Sequence, residues 1–165
     1  YFMASTWVFI RGTHDQAIGD TKTTALVDLG TRAWGKYLGS DDRGKAEFIY
    51  LTGVASTAAG DWVIYTSDDW TTARSTANAI GPLAVSMSAN VGSQYGWYMI
   101  YGKSSANVDS VSDNADIYLH ATAGRCDETD VAGDYVSNAL AASGTTSNLA
   151  DVEIWYPSVQ NGLDN

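Results

Sequence analysis

Short apolar-rich segments of strand length, some alternating with a period of two, recur along this chain roughly every ten positions, with clusters of turn residues between them. Residues 3–10, MASTWVFI, predict a strand with Thr6, Val8 and Ile10 on one side and Trp7 and Phe9 on the other. RGTHDQAIGDTKT is turn-rich, and TALVDL (24–29) predicts a short strand. GTRAWGKYLGSDDRGK reads as an irregular arm or long loop carrying Trp34 and Tyr37 as aromatic anchors, and SDDRGK is its closing turn. From Ala46 the pattern is regular. Strands are predicted at AEFIYLT (46–52), DWVIYTS (61–67), TTARSTA (71–77, an edge), GPLAVSMSA (81–89) and 97–108 with a bend at Gly102. DIYLHATA (116–123) and RCDETDV predict a hairpin about Gly124-Arg125. DYVSNALAA (134–142) and DVEIWYPSV (151–159) complete the set, with Pro157 ending the last strand.

Short strands at even spacing specify an all-β fold, an antiparallel β-sandwich or partly open β-barrel with an extended N-terminal arm. The division is an arm over 1–45, a barrel or sandwich over 46–159 and a flexible tail over 160–165. Only ALVDLGTRAW and YVSNALAASG admit a helical alternative. AAGDWVIY (58–65) and VAGDYVSN (131–138) echo each other, which we read as one turn chemistry used twice rather than as an internal repeat.

One segment departs from simple alternation. YGWYMIYGK (95–103) is apolar on both faces, with Trp97, Met99 and Tyr101 on one and Tyr98 and Ile100 on the other. DWVIY and EIWYPSV share this character. A strand apolar on both sides is either central to a two-layer core or presents its second face to a partner.

Composition narrows the function. Hydrophobic residues make up 45% and charged residues only 17%, so the chain has a core and draws its polarity from Ser, Thr, Asn and Gly. A net charge of −10 disfavours nucleic acid and anionic membrane surfaces as partners. Cys126 is the single cysteine, which rules out an intrachain disulfide. No apolar run approaches the ~20 residues of a bilayer span, and the opening residues lack the pattern of a secretory signal.

Reactive constellations are missing. His14 and His120 fall in no metal-binding spacing, and the acidic pairs Asp41-Asp42, Asp68-Asp69 and Asp127-Glu128 sit in turns, where Asp bonds the backbone. Neither a GxSxG elbow, a GxGxxG fingerprint nor a P-loop occurs. The expectation is a protein that is not an enzyme and needs no cofactor. Aromatic residues remain: six Trp, ten Tyr and three Phe.

The order EFIYLTGVASTAAGDWVIY, ARSTANAIGPLAVSMSANVGSQYGWYMIYGKSSANV, DNADIYLHATAGRCD, VAGDYVSNALAAS and ADVEIWYPSV resembles the capsid decoration, or cement, proteins of tailed bacteriophages and cyanophages. The resemblance covers about two-thirds of the chain and rests on phrases such as IGPLAVSMSA and YGWYMIYGK, not on a catalytic motif. It implies an all-β virion protein, made in the host cytoplasm, that binds the outside of the shell and stabilises it. The implied partners are the major capsid protein and further copies of itself, as a homotrimer or homodimer. Binding only the assembled shell would stabilise that shell by mass action.

Trp7, Phe9, Trp34 and Tyr37 are the candidate capsid anchors of the arm, the alternative for each being to pack back onto its own barrel. Trp97, Tyr98, Tyr101 and Trp155 are candidate capsid or subunit contacts. Two other functions compete: a carbohydrate-binding β-sandwich module and a self-assembling tube or filament subunit. Aromatic residues exposed in a row favour sugar, and buried ones favour assembly.

Overall fold

The structure is a computed structural model and describes residues 6–11 and 14–160. Residues 3–5 of the first predicted strand and 161–165 of the predicted tail lie outside the described residues. There is no helix among the described residues; twelve strands join in one open antiparallel sheet. The first six are β1 (Trp7–Phe9), β2 (Thr21–Lys22), β3 (Arg32–Tyr37), β4 (Lys45–Thr52), β5 (Trp62–Tyr65) and β6 (Thr72–Arg74). The others are β7 (Gly81–Ser86), β8 (Tyr95–Asn107), β9 (Asp116–Leu119), β10 (Cys126–Asp127), β11 (Tyr135–Ala141) and β12 (Leu149–Val159). The path across the sheet is β1-β3-β4-β8-β7-β12-β11-β9-β10, with β5 beside β7, β6 beside β5 and β2 on β8. The predicted all-β class holds, and every predicted strand from Ala46 onward has a counterpart.

The N-terminal third differs from its prediction. Residues 24–29 form bends rather than a strand, and the expected loop contains β3. Its glycine serves close approach, not flexibility: a Cβ on Gly35 would lie 2.9 Å from Ile18 and 3.0 Å from Phe48. β1 pairs with β3, β3 with β4, and β2 with β8, so the segment expected to be an extended arm is built into the sheet. Its turn-rich stretch plugs the core. Ile18 is buried, and the buried Gln16 amide donates to the Asp20 carbonyl (2.9 Å) and the Tyr95 carbonyl (2.7 Å). Both segments with a helical alternative are strand or bend. Pro157 does not end β12, which runs on to Val159.

β4, β8 and β7 are buried on both faces because they form a wall between two cores. On one face Phe48, Tyr50, Trp97, Met99, Leu83 and Val85 join the main core with residues of β9, β11 and β12. On the other, Ile49, Leu51, Val63, Ala84, Tyr98 and Ile100 form a smaller core with Tyr65 and Trp70 against it. Burying both faces requires continuous apolar runs, which is what these strands carry.

A single turn geometry recurs. Residues 28–31, 58–61, 122–125 and 131–134 each close an i to i+3 backbone hydrogen bond, with Gly30, Gly60, Gly124 or Gly133 at positive φ in third place. Turns 54–57, 76–79, 91–94 and 112–115 place Ser56, Asn78, Ser93 or Asn114 there instead. The two Ala-Gly-Asp copies are two members of this larger set, so shared turn chemistry accounts for them. Asp61 ends one such turn. Its carboxylate is 2% exposed and accepts from the Ala58 amide (2.9 Å), Arg74 Nε (2.8 Å) and Asn107 Nδ2 (2.7 Å).

Cys126 lies in the main core. Burial, then the charges of Asp127 and Asp134, push its thiol well above the usual range. The thiolate is the reactive form, so the native protein at pH 8 is expected to give no colour with a chromogenic disulfide reagent. Full reaction is expected in guanidinium, and rapid native labelling would contradict the buried placement.

Candidate functional site

The predicted contact residues divide by exposure. Trp7 is 5% exposed and packs on Tyr37 and Phe48, with ring centroids 5.2 and 5.3 Å apart. Phe9 packs on His14 and Trp97. Tyr37 is partly buried against the main core. Trp97 and Tyr98 are fully buried on opposite faces of the wall. Trp7, Trp97 and Tyr98 are buried in the chain's own packing, so as surface anchors they are corrected; Phe9 and Tyr37 pack on the same core and are half-buried. The other three, Trp34, Tyr101 and Trp155, reach the surface and come together.

Register explains how. Trp34 pairs with Glu47, Glu47 with Tyr101, and Tyr101 with Trp155, one row across β3, β4, β8 and β12. Directly paired residues point to the same face of a sheet. Tyr101 is on that face because of an irregularity in the β4–β8 register: Phe48 pairs with Met99 and Glu47 with Tyr101. The extra residue carries Tyr101 to the side of Tyr98 and Ile100, not that of Trp97 and Met99 as alternation predicts.

A second bulge adds a fourth ring. Ser137 pairs with Ser158 but Ala139 with Ile154, so β12 has surplus residues there. Trp155 and Tyr156 consequently both face outward, and Tyr156 takes a left-handed backbone, φ 58°. That conformation is uncommon for a bulky residue and costs roughly 1–3 kcal/mol. Trp34, Tyr101, Trp155 and Tyr156 are 41%, 39%, 37% and 47% exposed. Trp34 and Tyr156 each lie 5.6 Å from Tyr101, centroid to centroid, tilted 56° and 43° to it.

Beneath the rings lies a buried carboxylate. Glu47 is nearly inaccessible, accepts a short hydrogen bond from the Tyr156 hydroxyl, and sits 3.9 Å from Arg32. The Arg32 guanidinium is also 5.8 Å from the Tyr156 ring centroid. The hydrogen bond to Glu47, and then burial, hold the Tyr156 phenol above its ordinary range. Glu47 fixes Tyr156 and Arg32 in place while its own charge is withdrawn from the surface. The sequence reading missed Tyr156, Glu47 and Arg32. The available signal was Pro157, since a proline inside a strand pattern marks a bulge or edge.

This arrangement can supply contact area, cation–π attraction and a guanidinium donor. It contains no nucleophile paired with a base. Among the described residues no three His, Cys, Asp or Glu side chains gather as a metal set, and no helix is long and apolar enough to cross a membrane. Among the described residues, fold and surface define an all-β protein with an exposed aromatic row. No family model matches the chain, and no curated protein matches it either.

Proposed function

We propose that this is a non-enzymatic structural protein that docks by its aromatic row onto the outer surface of a phage capsid and stabilises the shell, as a decoration protein. The observation that carries the reading is the contiguous group Trp34, Tyr101, Trp155 and Tyr156 with Arg32 at its edge. Trp, Tyr and Arg are the residue types that dominate protein–protein binding energy. The resemblance to cement proteins supplies the kind of partner, a major capsid protein, and the location on the virion. Self-association as a homotrimer or homodimer belongs to the same proposal, and many modest contacts on one shell would add up by avidity.

The exposed row also favours the carbohydrate-binding reading. Its geometry does not suit that role well. A sugar ring needs a flat platform, whereas these rings are in mutual contact and tilted by 43° and 56°. The carboxylate best placed to accept from sugar hydroxyls, Glu47, is covered.

The test is co-sedimentation with undecorated shells. Tyr101→Ala with Trp155→Ala is expected to weaken binding by about 30-fold or more, as loss of a hot spot worth about 2 kcal/mol does. Val131→Ala, in the β10–β11 turn, is expected to leave binding unchanged. Wild-type protein that stays in the supernatant at every shell concentration, yet binds a glycan array, would replace this reading with the carbohydrate one.

A further inference from the structure

The outward face does not end at the aromatic row. The Ile10 amide donates to the Trp34 carbonyl at 2.9 Å, which continues the β1–β3 pairing one residue past Phe9 and sets Ile10 beside Trp34. Between them opens a groove of about 440 Å³ lined by Ile10, Arg11, Trp34 and Lys45. Two apolar side chains form its walls and two cations its rim. One step along the strands, Lys36 pairs directly with Lys45, on the same face as Trp34 and Glu47. Like charges set directly opposite each other in a sheet repel, and natural pairs seldom place them so.

The chain's overall charge sharpens the point. It has 19 Asp and Glu against 9 Lys and Arg, so carboxylates are in surplus. Arg32, Arg43, Arg74 and Arg125 each find one within the chain. Arg11, Lys36 and Lys45 make no ion pair among the described residues; Arg11 and Lys45 line this groove, and Lys36 stands directly across from Lys45. Lys22 and Lys103 also make none, but Lys103 faces Glu153 across the β8–β12 pairing. A concentration of uncompensated cations around an apolar slot has no role in holding this fold together.

We propose that this groove receives an acidic, partly apolar peptide segment of the partner protein. An apolar side chain enters between Ile10 and Trp34, and neighbouring carboxylates meet Arg11, Lys36 and Lys45. The inference rests on reading the outward face as a docking surface and names the chemistry of what docks. Charge complementarity selects the occupant. Three cations are too few to track a nucleic-acid backbone, and a chain of net charge −10 would repel an extended polyanion. Over a contact of a few ångströms, salt screens the distant charge and the local cations dominate.

The probe is a fluorescent synthetic peptide alternating Glu with Leu, titrated by anisotropy, with a Lys-for-Glu peptide and heparin as comparisons. The acidic peptide is expected to saturate, to shift the Trp34 indole resonance, and to weaken as salt rises. Lys36→Gln with Lys45→Gln is expected to cut its affinity at least about tenfold without lowering Tm, since the change removes a like-charge pair. Absence of saturable binding, equal binding of the Lys peptide, or displacement by heparin at lower concentration would each overturn the proposal. The double lysine variant is also sedimented with shells. Shell binding that survives it, alongside failure of the peptide, sinks this inference and leaves the docking reading intact. Peptide binding by a protein that ignores shells does the reverse.

Discussion

Asp61→Ala is expected to destabilise the protein by about 3 kcal/mol, visible as a lower urea midpoint with an unchanged slope and as a fall in Tm of about 6–12 °C. The carboxylate links the turn before β5, Arg74 on β6, and Asn107 at the end of β8. Arg74 reaches on to the Ala123 carbonyl (2.8 Å), so the β9–β10 turn joins the same knot. The fit is close: a Cβ on Gly124 would lie 2.6 Å from the Asp61 carboxylate, and Gly124 has φ 81°. Alanine leaves the guanidinium without its carboxylate and the Ala58 amide without its acceptor, while Asn107 keeps only its 3.2 Å bond to the Ala59 carbonyl. Breaking a buried pair costs about 3–5 kcal/mol, and the lower end applies because Arg74 is partly exposed. Asp61→Asn keeps the shape and loses the charge, so a smaller loss of about 1–2 kcal/mol is expected. A midpoint for Asp61→Ala within error of wild type would show that the knot carries no stability.

Trp97→Ala is expected to cost about 3–5 kcal/mol, the usual range for removing a buried tryptophan. Trp97 is the hub of the main core beneath the N-terminal segment. Tyr50, Phe9 and His14 lie at ring-centroid distances of 5.0, 5.1 and 5.2 Å, and the indole Nε1 donates to the Gln16 carbonyl at 3.1 Å. The substitution removes both the packing and the hydrogen bond that seat residues 14–18. Limited proteolysis is therefore expected to speed up in the 10–22 region before the rest of the chain is cut. Trp97→Phe keeps a ring and loses the donor, so it is expected to fall between the two. Equal stability of Trp97→Ala and wild type would remove the segment's docking from the account.

Regular alternation and turn residues made the strands after Ala46 legible, because both are local signals. Three things were not. β3 was hidden by Gly35, which reads as a loop residue until its crowding against Ile18 and Phe48 is known. The two-sided apolar character of 95–103 admitted either a second core or a partner, and only the placement of Ile49, Val63 and Ala84 decides for a core. The surface row was only half visible. Trp34, Tyr101 and Trp155 were singled out, yet strict alternation put Tyr101 on the wrong face. A bulge in register is a property of two strands together, so neither strand's own sequence announces it. Tyr156 was lost for the same reason. Glu47 and Arg32 carried no signal, since their role exists only through the rings above them.

β12 is the last of the described strands in chain order, yet it lies inside the sheet, flanked by β11 on one side and by β7 and β8 on the other. Until residue 159 has left the ribosome, the inner edges of β8 and β11 have no neighbour. Pairing of these edges therefore waits until β12 has emerged, and in a cell translating many copies at once they are the edges a chaperone would have to shield.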